Sequence, residues 1–282
     1  MIPFEKRINS RPMSSRARAT VPTPPADARV RERIHRLWDE LAAFEAAESE
    51  AALLHLLGGV ARLITAQNAL WLGVLRMSDA ARDPLRGWRP QAVRYLHPTE
   101  ADQTYGRASL RRLQTGGLDA SSKAHVRLAG QFRVLLQREL VPGWVDSDSY
   151  RLGYAPRGIV DMLIVGAPVN AGAESYYMFH RKRPRPAFTN TERDIAAYAM
   201  RGLTWFHRQV LLSRGLLAAS KPLSPAERRV LALLLSDLPE KQIAARLGLT
   251  PATTHTYVRA VFRKFGVRGR AGLTALWLGK AR

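Results

Sequence analysis

Residues 223–276 read LSPAERRVLALLLSDLPEKQIAARLGLTPATTHTYVRAVFRKFGVRGRAGLTAL. The stretch opens with Ser224, Pro225 and Glu227, which combine a helix N-cap, a proline at the first helical position and the glutamate of a capping box. The apolar residues that follow at helical spacing predict the buried stripe of a first helix: Val230, Leu231, Leu234 and Leu235.

A second, short helix begins at Pro239–Gln242, and its inward residues are Ile243, Ala244 and Leu247. Gly248 ends this helix because glycine adopts positive φ without steric cost. Thr250 and Pro251 then open a third helix with the same combination of cap and proline.

The third helix, residues 251–265, has one apolar and one polar face. Its buried stripe recurs every three or four residues: Thr254, Val258, Val261 and Phe265. The outward positions are then His255, Thr256, Arg259 and Arg263. A two-turn helix, a glycine turn and a capped helix with a basic outer face predict a helix-turn-helix. Residues 270–278 supply a fourth helix that closes the core.

The whole segment resembles the LuxR-type (GerE-type) DNA-binding domain of bacterial transcription regulators. Positions that agree in order are Leu223, Glu227, Val230, Leu231, Ile243, Ala244, Leu247, Pro251, Thr253, Val258, Lys264, Gly266, Val267 and Arg270. The chain departs from the family at Asp237, where glycine is usual, and at Pro239, where a capping serine is common. Thr254-His255 replaces a frequent Val-Lys pair, which changes the expected base preference.

The resemblance implies that helix 251–265 enters the major groove of duplex DNA. By the family's motif, the residues meeting base edges are His255, Thr256 and Arg259, and those meeting phosphates are Lys241, Thr253, Arg263 and Lys264. Arg259 has the geometry for a bidentate contact to guanine. Residues 221–282 carry twelve basic and three acidic residues, a net charge of +9, which favours salt-dependent binding to any DNA.

Composition of the whole chain agrees with a polyanionic partner. Among 282 residues there are 44 Lys and Arg against 23 Asp and Glu, a net charge of +21, which favours nucleic acid or an anionic membrane surface. The absence of cysteine excludes disulfides, thiolate metal sites, cysteine nucleophiles and iron–sulfur clusters. The apolar run 63–75 is shorter than a membrane span, and the basic amino terminus lacks the apolar core of a secretory signal, so we expect a cytoplasmic protein.

Composition shifts divide the chain into four parts. Residues 1–27 predict a flexible basic tail, with Met13 as an alternative translation start, and residues 28–188 predict an α+β sensor or dimerisation domain. Residues 189–220 predict a long connecting helix, and residues 221–282 form the helix-turn-helix domain.

Within residues 28–188, periodicity predicts helices followed by strands. Residues 28–57 form one amphipathic helix or two with a break near 46–50, and strands are expected near 71–75 and 92–96. The pattern is helical over 99–140, with a stop at 116–117 and a segment, 132–140, that fits helix or strand. Residues 159–169 and 175–179 predict a β-hairpin. This order indicates an α+β sheet with one face covered by helices.

The connecting helix is expected to begin with a capping box, Thr189 and Glu192, and to run to about residue 218. Its apolar residues cover more than one face. One side would therefore pack on its own domain and another on a second copy of the chain.

The domain upstream of residue 189 resembles PAS/GAF-like α+β sensor domains that precede LuxR-type modules, including those that bind acyl-homoserine lactones. Trp71, Asp83, Trp88 and Tyr95 do not reproduce the pocket signature of the latter. A phosphoacceptor receiver domain fits less well, because residues 28–188 show no alternating βα series. A small-molecule pocket and a pure dimerisation or partner-docking scaffold both remain open.

No catalytic or metal-binding pattern is present in the sequence. The histidines have no metal-ligand spacing: His35, His55, His97, His125, His180, His207 and His255. No nucleophile elbow, P-loop or dinucleotide fingerprint occurs. The adjacent acids 146–148 and the basic loop 181–185 are typical of solvated loops. We therefore expect a protein that is not an enzyme and uses no cofactor or metal.

Together these patterns predict a bacterial sequence-specific transcription regulator that binds double-stranded DNA as a homodimer on an inverted repeat. RNA polymerase and a small-molecule effector are further candidate partners, and no membrane partner is expected. Two alternatives stay open: an acyl-homoserine-lactone-type signal receptor, and an enzyme fused to a DNA-binding tail.

Overall fold

The computed structural model describes residues 22–78, 83–115 and 120–279. An amino-terminal region of helices around an antiparallel sheet is followed by a helical domain, which confirms the predicted fold class. Residues 1–21 of the predicted tail lie outside the described residues. Within the described part of the chain, none of the helices combines the length and apolar character needed to cross a bilayer.

Two amphipathic helices come first, α1 (Ala28–Ala43) and α2 (Ser49–Leu63). The Asp27 carboxylate caps α1 by accepting a hydrogen bond from the Arg29 amide, and a 3₁₀ turn, Ala46–Glu48, separates the helices. Of the two predicted alternatives, two helices with a break near residues 46–50 are therefore confirmed, and one continuous helix is not. Gly58 and Gly59 do not end α2, which continues for another turn.

Five antiparallel strands form one sheet in the order β2-β1-β5-β4-β3. The strands are β1 (Asn68–Arg76), β2 (Trp88–Tyr95), β3 (Arg133–Leu136), β4 (Ile159–Asn170) and β5 (Ala173–Lys182). The predicted hairpin is confirmed, since Asn170 pairs with Ala173 across a two-residue turn. Strands β4 and β5 are buried along most of their length, which explains the nearly continuous apolar character of β4.

The region between β2 and β4 contains both helices and a strand. Helices α3 (Glu100–Gln114) and α4 (Ala120–Arg127) are followed by β3 and by a single turn, α5 (Gln137–Leu140). The ambiguous segment 132–140 thus divides into a strand and a helical turn. The predicted stop at 116–117 lies outside the described residues.

Both faces of the sheet carry helical structure, whereas the sequence predicted that helices cover one face. Helices α2, α6 (Asn190–Arg201) and α7 (Thr204–Ser213) pack on one face, with α1 outside α2. On the other face α3, α4 and short turns between Trp144 and Arg157 cover the sheet partly. The sequence predicted helical structure over 99–140, but residue spacing does not specify which face of a sheet a helix covers.

The prediction of one continuous connecting helix is wrong. The capping box of Thr189 and Glu192 is present, but α6 ends at Gly202 and a new helix begins after Leu203. The change of direction allows the apolar residues of both helices to reach the same core, among them Ile195, Phe206, Val210 and Leu211. Their distribution over several faces therefore does not require a second copy of the chain.

The carboxyl-terminal domain consists of α8 (Pro225–Leu234), α9 (Glu240–Leu247), α10 (Pro251–Phe265) and α11 (Arg270–Trp277). These helices enclose a separate apolar cluster that includes Val230, Ile243, Val258 and Leu273. All four helices predicted from the sequence are present.

Candidate nucleic-acid interface

Helix α8 is fixed at its start by the capping box read from the sequence. The Glu227 amide donates to Ser224 Oγ at 3.3 Å, and the Ser224 amide donates to Glu227 Oε2 at 2.7 Å. Burial alone would raise the pKa of Glu227, but hydrogen bonds from Lys264 and from Ser224 hold it below its ordinary value. The carboxylate therefore stays ionised and stabilises the start of the domain.

The turn between α9 and α10 depends on Gly248, whose φ of 64° lies in the left-handed region. The Leu249 amide donates to the Ala244 carbonyl at 3.0 Å, which closes the end of α9. One residue later Thr250 Oγ1 accepts from the Thr253 amide at 3.1 Å and starts α10. This short connection fixes the angle between the two helices of a helix-turn-helix.

Helix α10 buries the stripe predicted from its spacing: Thr254, Val258, Val261 and Phe265. The opposite side is exposed, and we call its four residues, His255, Thr256, Arg259 and Arg263, the recognition face. Because these side chains project away from the apolar cluster, they are available to a groove of DNA.

The other predicted contacts flank this face. Lys241 in the first turn of α9 and Thr253 in the first turn of α10 are both exposed. The side chains of Lys241, Arg259 and Arg263 have no hydrogen bond or ion pair to any of the residues that the structure describes. These three positive charges, which no described residue neutralises, would attract the phosphates of a duplex.

The hydroxyl and imidazole groups of the face have partners within the domain. Thr256 Oγ1 donates to the Ala252 carbonyl at 3.0 Å, and Thr253 Oγ1 shares a hydrogen bond of 2.9 Å with Thr250 Oγ1. His255 Nδ1 lies 3.0 Å from Glu240 Oε2 on α9. These bonds hold the polar groups in defined orientations.

Lys264 differs from the other predicted phosphate contacts. Its ammonium donates to Glu227 Oε2 at 2.7 Å and to the Pro222 carbonyl at 3.0 Å, and its side chain is 21% exposed. The geometry favours a role in holding α10 against the start of α8. The ion pair joins residues 37 positions apart, so helical spacing gives no signal for it.

Further charged residues of the domain lie outside the set of contacts predicted from the sequence. Arg246 near the end of α9 and Arg268 after α10 are exposed, and the charge count of the domain was the signal that included them. Glu240 was read only as part of a helix start, although its carboxylate meets His255 across the turn.

The domain docks on the amino-terminal region by a side that leaves the recognition face open. Arg208 on α7 donates to the Leu276 carbonyl at 3.0 Å, and the Leu223 amide donates to the Arg214 carbonyl at 3.0 Å. The Ser220 amide donates to the Lys264 carbonyl at 2.7 Å. None of these contacts uses a residue of the recognition face.

A second candidate site is a cavity of about 860 Å³ between the sheet and helices α3 and α4, which we call the sheet cavity. Its apolar lining includes Leu70, Leu72, Val93, Leu110 and Met178. Cavities of a few hundred to a thousand cubic ångströms suit small organic ligands.

Buried polar groups lie along one side of the sheet cavity. Arg157 donates to Asp102 Oδ1 at 2.9 Å, and its guanidinium lies 4.2 Å from the centre of the Tyr105 ring. Burial lowers the pKa of His125 and of His180 to about 3, so both imidazoles are neutral. Arg157 Nη2, both His125 nitrogens and His180 Nδ1 are buried without a hydrogen-bond partner among the described residues.

Within residues 22–78, 83–115 and 120–279, no three His, Cys, Asp or Glu side chains come together in a metal-binding cluster.

The fold and the exposed basic face of α10 define the carboxyl-terminal domain as a helix-turn-helix of the DNA-binding class. Residues 221–277 match the model of the family described as "Bacterial regulatory proteins, luxR family". The domain is therefore a LuxR-type helix-turn-helix domain, as the resemblance in the sequence predicted.

Two curated relatives align with about a fifth of this chain. Transcriptional regulatory protein MctR of Rhizobium johnstonii is 41% identical over 54 residues, which are 19% of this chain and 25% of MctR. Probable HTH-type transcriptional regulator GfsR of Streptomyces halstedii is 37% identical over 60 residues, which are 21% of this chain and 25% of GfsR. The chain thus spans about a quarter of the length of these relatives.

Two solved structures align with a longer part of the chain. SdiA in complex with octanoyl-rac-glycerol covers 90% of this chain and 96% of its own, at 13% identity and a TM-score of 0.47. The N-acylhomoserine lactone dependent LuxR family transcription factor CepR2 from Burkholderia cenocepacia covers 62% of this chain and 95% of its own, at 14% identity and a TM-score of 0.43.

Proposed function

We propose that this chain is a sequence-specific DNA-binding transcription regulator that lays α10 in the major groove. The observation that carries the proposal is the recognition face: it is exposed, basic and opposite the buried stripe of α10, and the amino-terminal region leaves it uncovered. A cytoplasmic location in a bacterium goes with this proposal, because the operator DNA lies there.

In this proposal some of the polar side chains contact base edges and the others contact the phosphate backbone of the DNA. Arg259 donates to guanine O6 and N7, while His255 and Thr256 meet neighbouring base edges. Lys241, Thr253 and Arg263 contact phosphates, which sets the register of α10 on the duplex. Lys264 is left out of this set because its ammonium is bound to Glu227 and Pro222.

The proposed assembly is a homodimer on an inverted repeat, because two recognition helices related by a two-fold axis read two equivalent half-sites. We assign sensing or dimerisation to residues 28–188, connection to residues 189–220 and DNA binding to residues 221–282. RNA polymerase is the partner through which a bound regulator would alter transcription.

The decisive experiment selects bound fragments from randomised DNA with the full chain and compares two variants. Arg259→Ala is expected to lose about 1–3 kcal/mol of discrimination at one base pair and to leave binding to random DNA nearly unchanged. Lys241→Ala is expected to weaken binding to specific and to random DNA alike. It should also lower the number of counterions released on binding, measured from the salt dependence of the affinity, by about one. Equal losses on both kinds of DNA for both variants would contradict the assignment.

A second candidate function is control of DNA binding by a small molecule, and the sheet cavity is the observation that favours it. An amphiphilic ligand, such as the acyl-homoserine-lactone type, would place its apolar part against Leu72 and Met178. Its hydrogen-bonding groups would reach Arg157 and His125. Burial of such groups without partners costs free energy that a ligand recovers.

The effector proposal is tested by extracting the purified chain with organic solvent and analysing the released small molecules by mass spectrometry. Leu72→Trp fills the cavity and should abolish recovery of any compound retained by the wild-type chain. A compound recovered equally from both proteins is bound elsewhere. The proposal includes no catalytic step, so turnover of a substrate by the purified chain would contradict it.

A further inference from the structure

A carboxylate and an imidazole meet across the turn of the helix-turn-helix. Glu240 is the first residue of α9, and its Oε2 lies 3.0 Å from Nδ1 of His255 on α10. The two side chains are 43% and 59% exposed, so the pair lies on the surface that would face DNA. Such a contact bears on how the imidazole is oriented and on which of its nitrogens carries the hydrogen.

An ionised carboxylate only accepts hydrogen bonds. Nδ1 of His255 must therefore carry the hydrogen of this bond. In a neutral imidazole the other nitrogen, Nε2, is then a hydrogen-bond acceptor. Without the carboxylate, either nitrogen of His255 can carry the hydrogen, and the side chain can donate or accept.

The bases present different groups to such an acceptor in the major groove. Adenine offers the N6 amino group and cytosine the N4 amino group, both of which are donors. Guanine offers N7 and O6 and thymine offers O4, all of which are acceptors. A fixed acceptor thus selects adenine or cytosine and leaves an unpaired polar group against guanine or thymine.

We propose that Glu240 is a positioning residue that holds His255 in the Nδ1–H tautomer, so that Nε2 reads an adenine or cytosine amino group. This inference rests on the proposed DNA-binding function. Beyond that function, Glu240 is an acidic residue outside the set expected to touch DNA. Its effect on His255 defines the class of base read at one operator position.

The test is selection from randomised DNA with the full chain at about pH 8, above the ordinary histidine pKa of about 6.5. The wild-type chain should prefer adenine or cytosine at one position of the half-site. His255→Ala should lower that preference about fivefold, the value of one hydrogen bond, and leave other positions unchanged. Glu240→Ala should lower the preference at the same position.

Two further variants separate positioning from a structural effect. Glu240→Gln retains an oxygen that accepts from Nδ1–H, so it should restore most of the preference. Gln242→Ala alters another exposed residue of α9 and should leave the profile as in the wild type. An unchanged profile in Glu240→Ala would overturn the inference.

The tautomer is measured directly by the ¹⁵N chemical shifts of the histidine ring in the free protein. The signal that disappears in His255→Ala should show hydrogen on Nδ1 in the wild type and a mixture or hydrogen on Nε2 in Glu240→Ala. Hydrogen on Nε2 in the wild type would refute the positioning role even if DNA is bound. Absence of any base preference at any position would instead contradict the proposed function.

Discussion

Lys264 Nζ lies 2.7 Å from Glu227 Oε2, so a cation on the recognition helix is bound to the first helix of its own domain. The Pro222 carbonyl accepts a second bond from the same ammonium at 3.0 Å. Through these two contacts the end of α10 is tied to the segment that enters the domain. This partly buried ion pair therefore contributes to holding α10 in place within the domain.

Lys264→Ala should destabilise the carboxyl-terminal domain by about 1–3 kcal/mol, because Glu227 remains buried with fewer donors. Hydrogen exchange of the α8 and α10 amides in the full chain measures this change. Lys241→Ala is the matched control, since that exposed lysine should alter exchange little. Unchanged hydrogen exchange in Lys264→Ala would contradict the structural role of Lys264 and favour its assignment as a phosphate contact.

Three buried histidines should make the amino-terminal region sensitive to mild acid. Burial lowers the pKa of His125 and His180 to about 3 and that of His207 to about 4. The unfolded chain takes up protons near pH 6.5 while the folded chain does not, so stability is lost as pH falls below that value. Each histidine should cost about 2 kcal/mol by pH 5.

Urea unfolding of the full chain at neutral pH and near pH 5 measures this loss. His207→Asn should be less stable at neutral pH, because Tyr177 loses a hydrogen bond of 2.8 Å, but its stability should change less with pH. Equal pH dependence in the variant and the wild type would contradict the prediction.

Arg208 should hold the last helix against the amino-terminal region. Its guanidinium donates to the Leu276 and Trp277 carbonyls at 3.0 and 3.4 Å, where the helix dipole is negative. Arg208→Ala should raise protease cleavage within residues 214–224 about fivefold. Arg263→Ala is the control, because it removes an exposed arginine of the carboxyl-terminal domain that makes no such contact. If Arg263→Ala were cleaved as fast as Arg208→Ala, docking would not depend on Arg208.

Gly73 should be intolerant of a side chain because other groups occupy the space above it. A Cβ there would overlap Leu216 Cδ1 and lie 2.8 Å from the Trp71 ring. Gly73→Ala should lower the free energy of unfolding by about 1–3 kcal/mol, measured by urea titration. Gly269→Ala has no heavy atom within 4 Å of the new Cβ and should have little effect.

The sequence by itself determined the features that depend on near neighbours in the chain. The caps at Ser224 and Thr250, the turn at Gly248 and the buried stripe of α10 were all predicted, because capping and helical periodicity act within a few residues. The same signals give the outward direction of Arg259.

Only the tertiary structure decided the features that join distant segments. The pairing of Lys264 with Glu227, the meeting of Glu240 with His255 and the sheet cavity depend on how whole elements approach one another. The bend at Gly202 likewise turned a helix with several apolar faces into two helices that fill one core. The physical reason is that burial and charge pairing follow distance in space, which residue spacing does not specify.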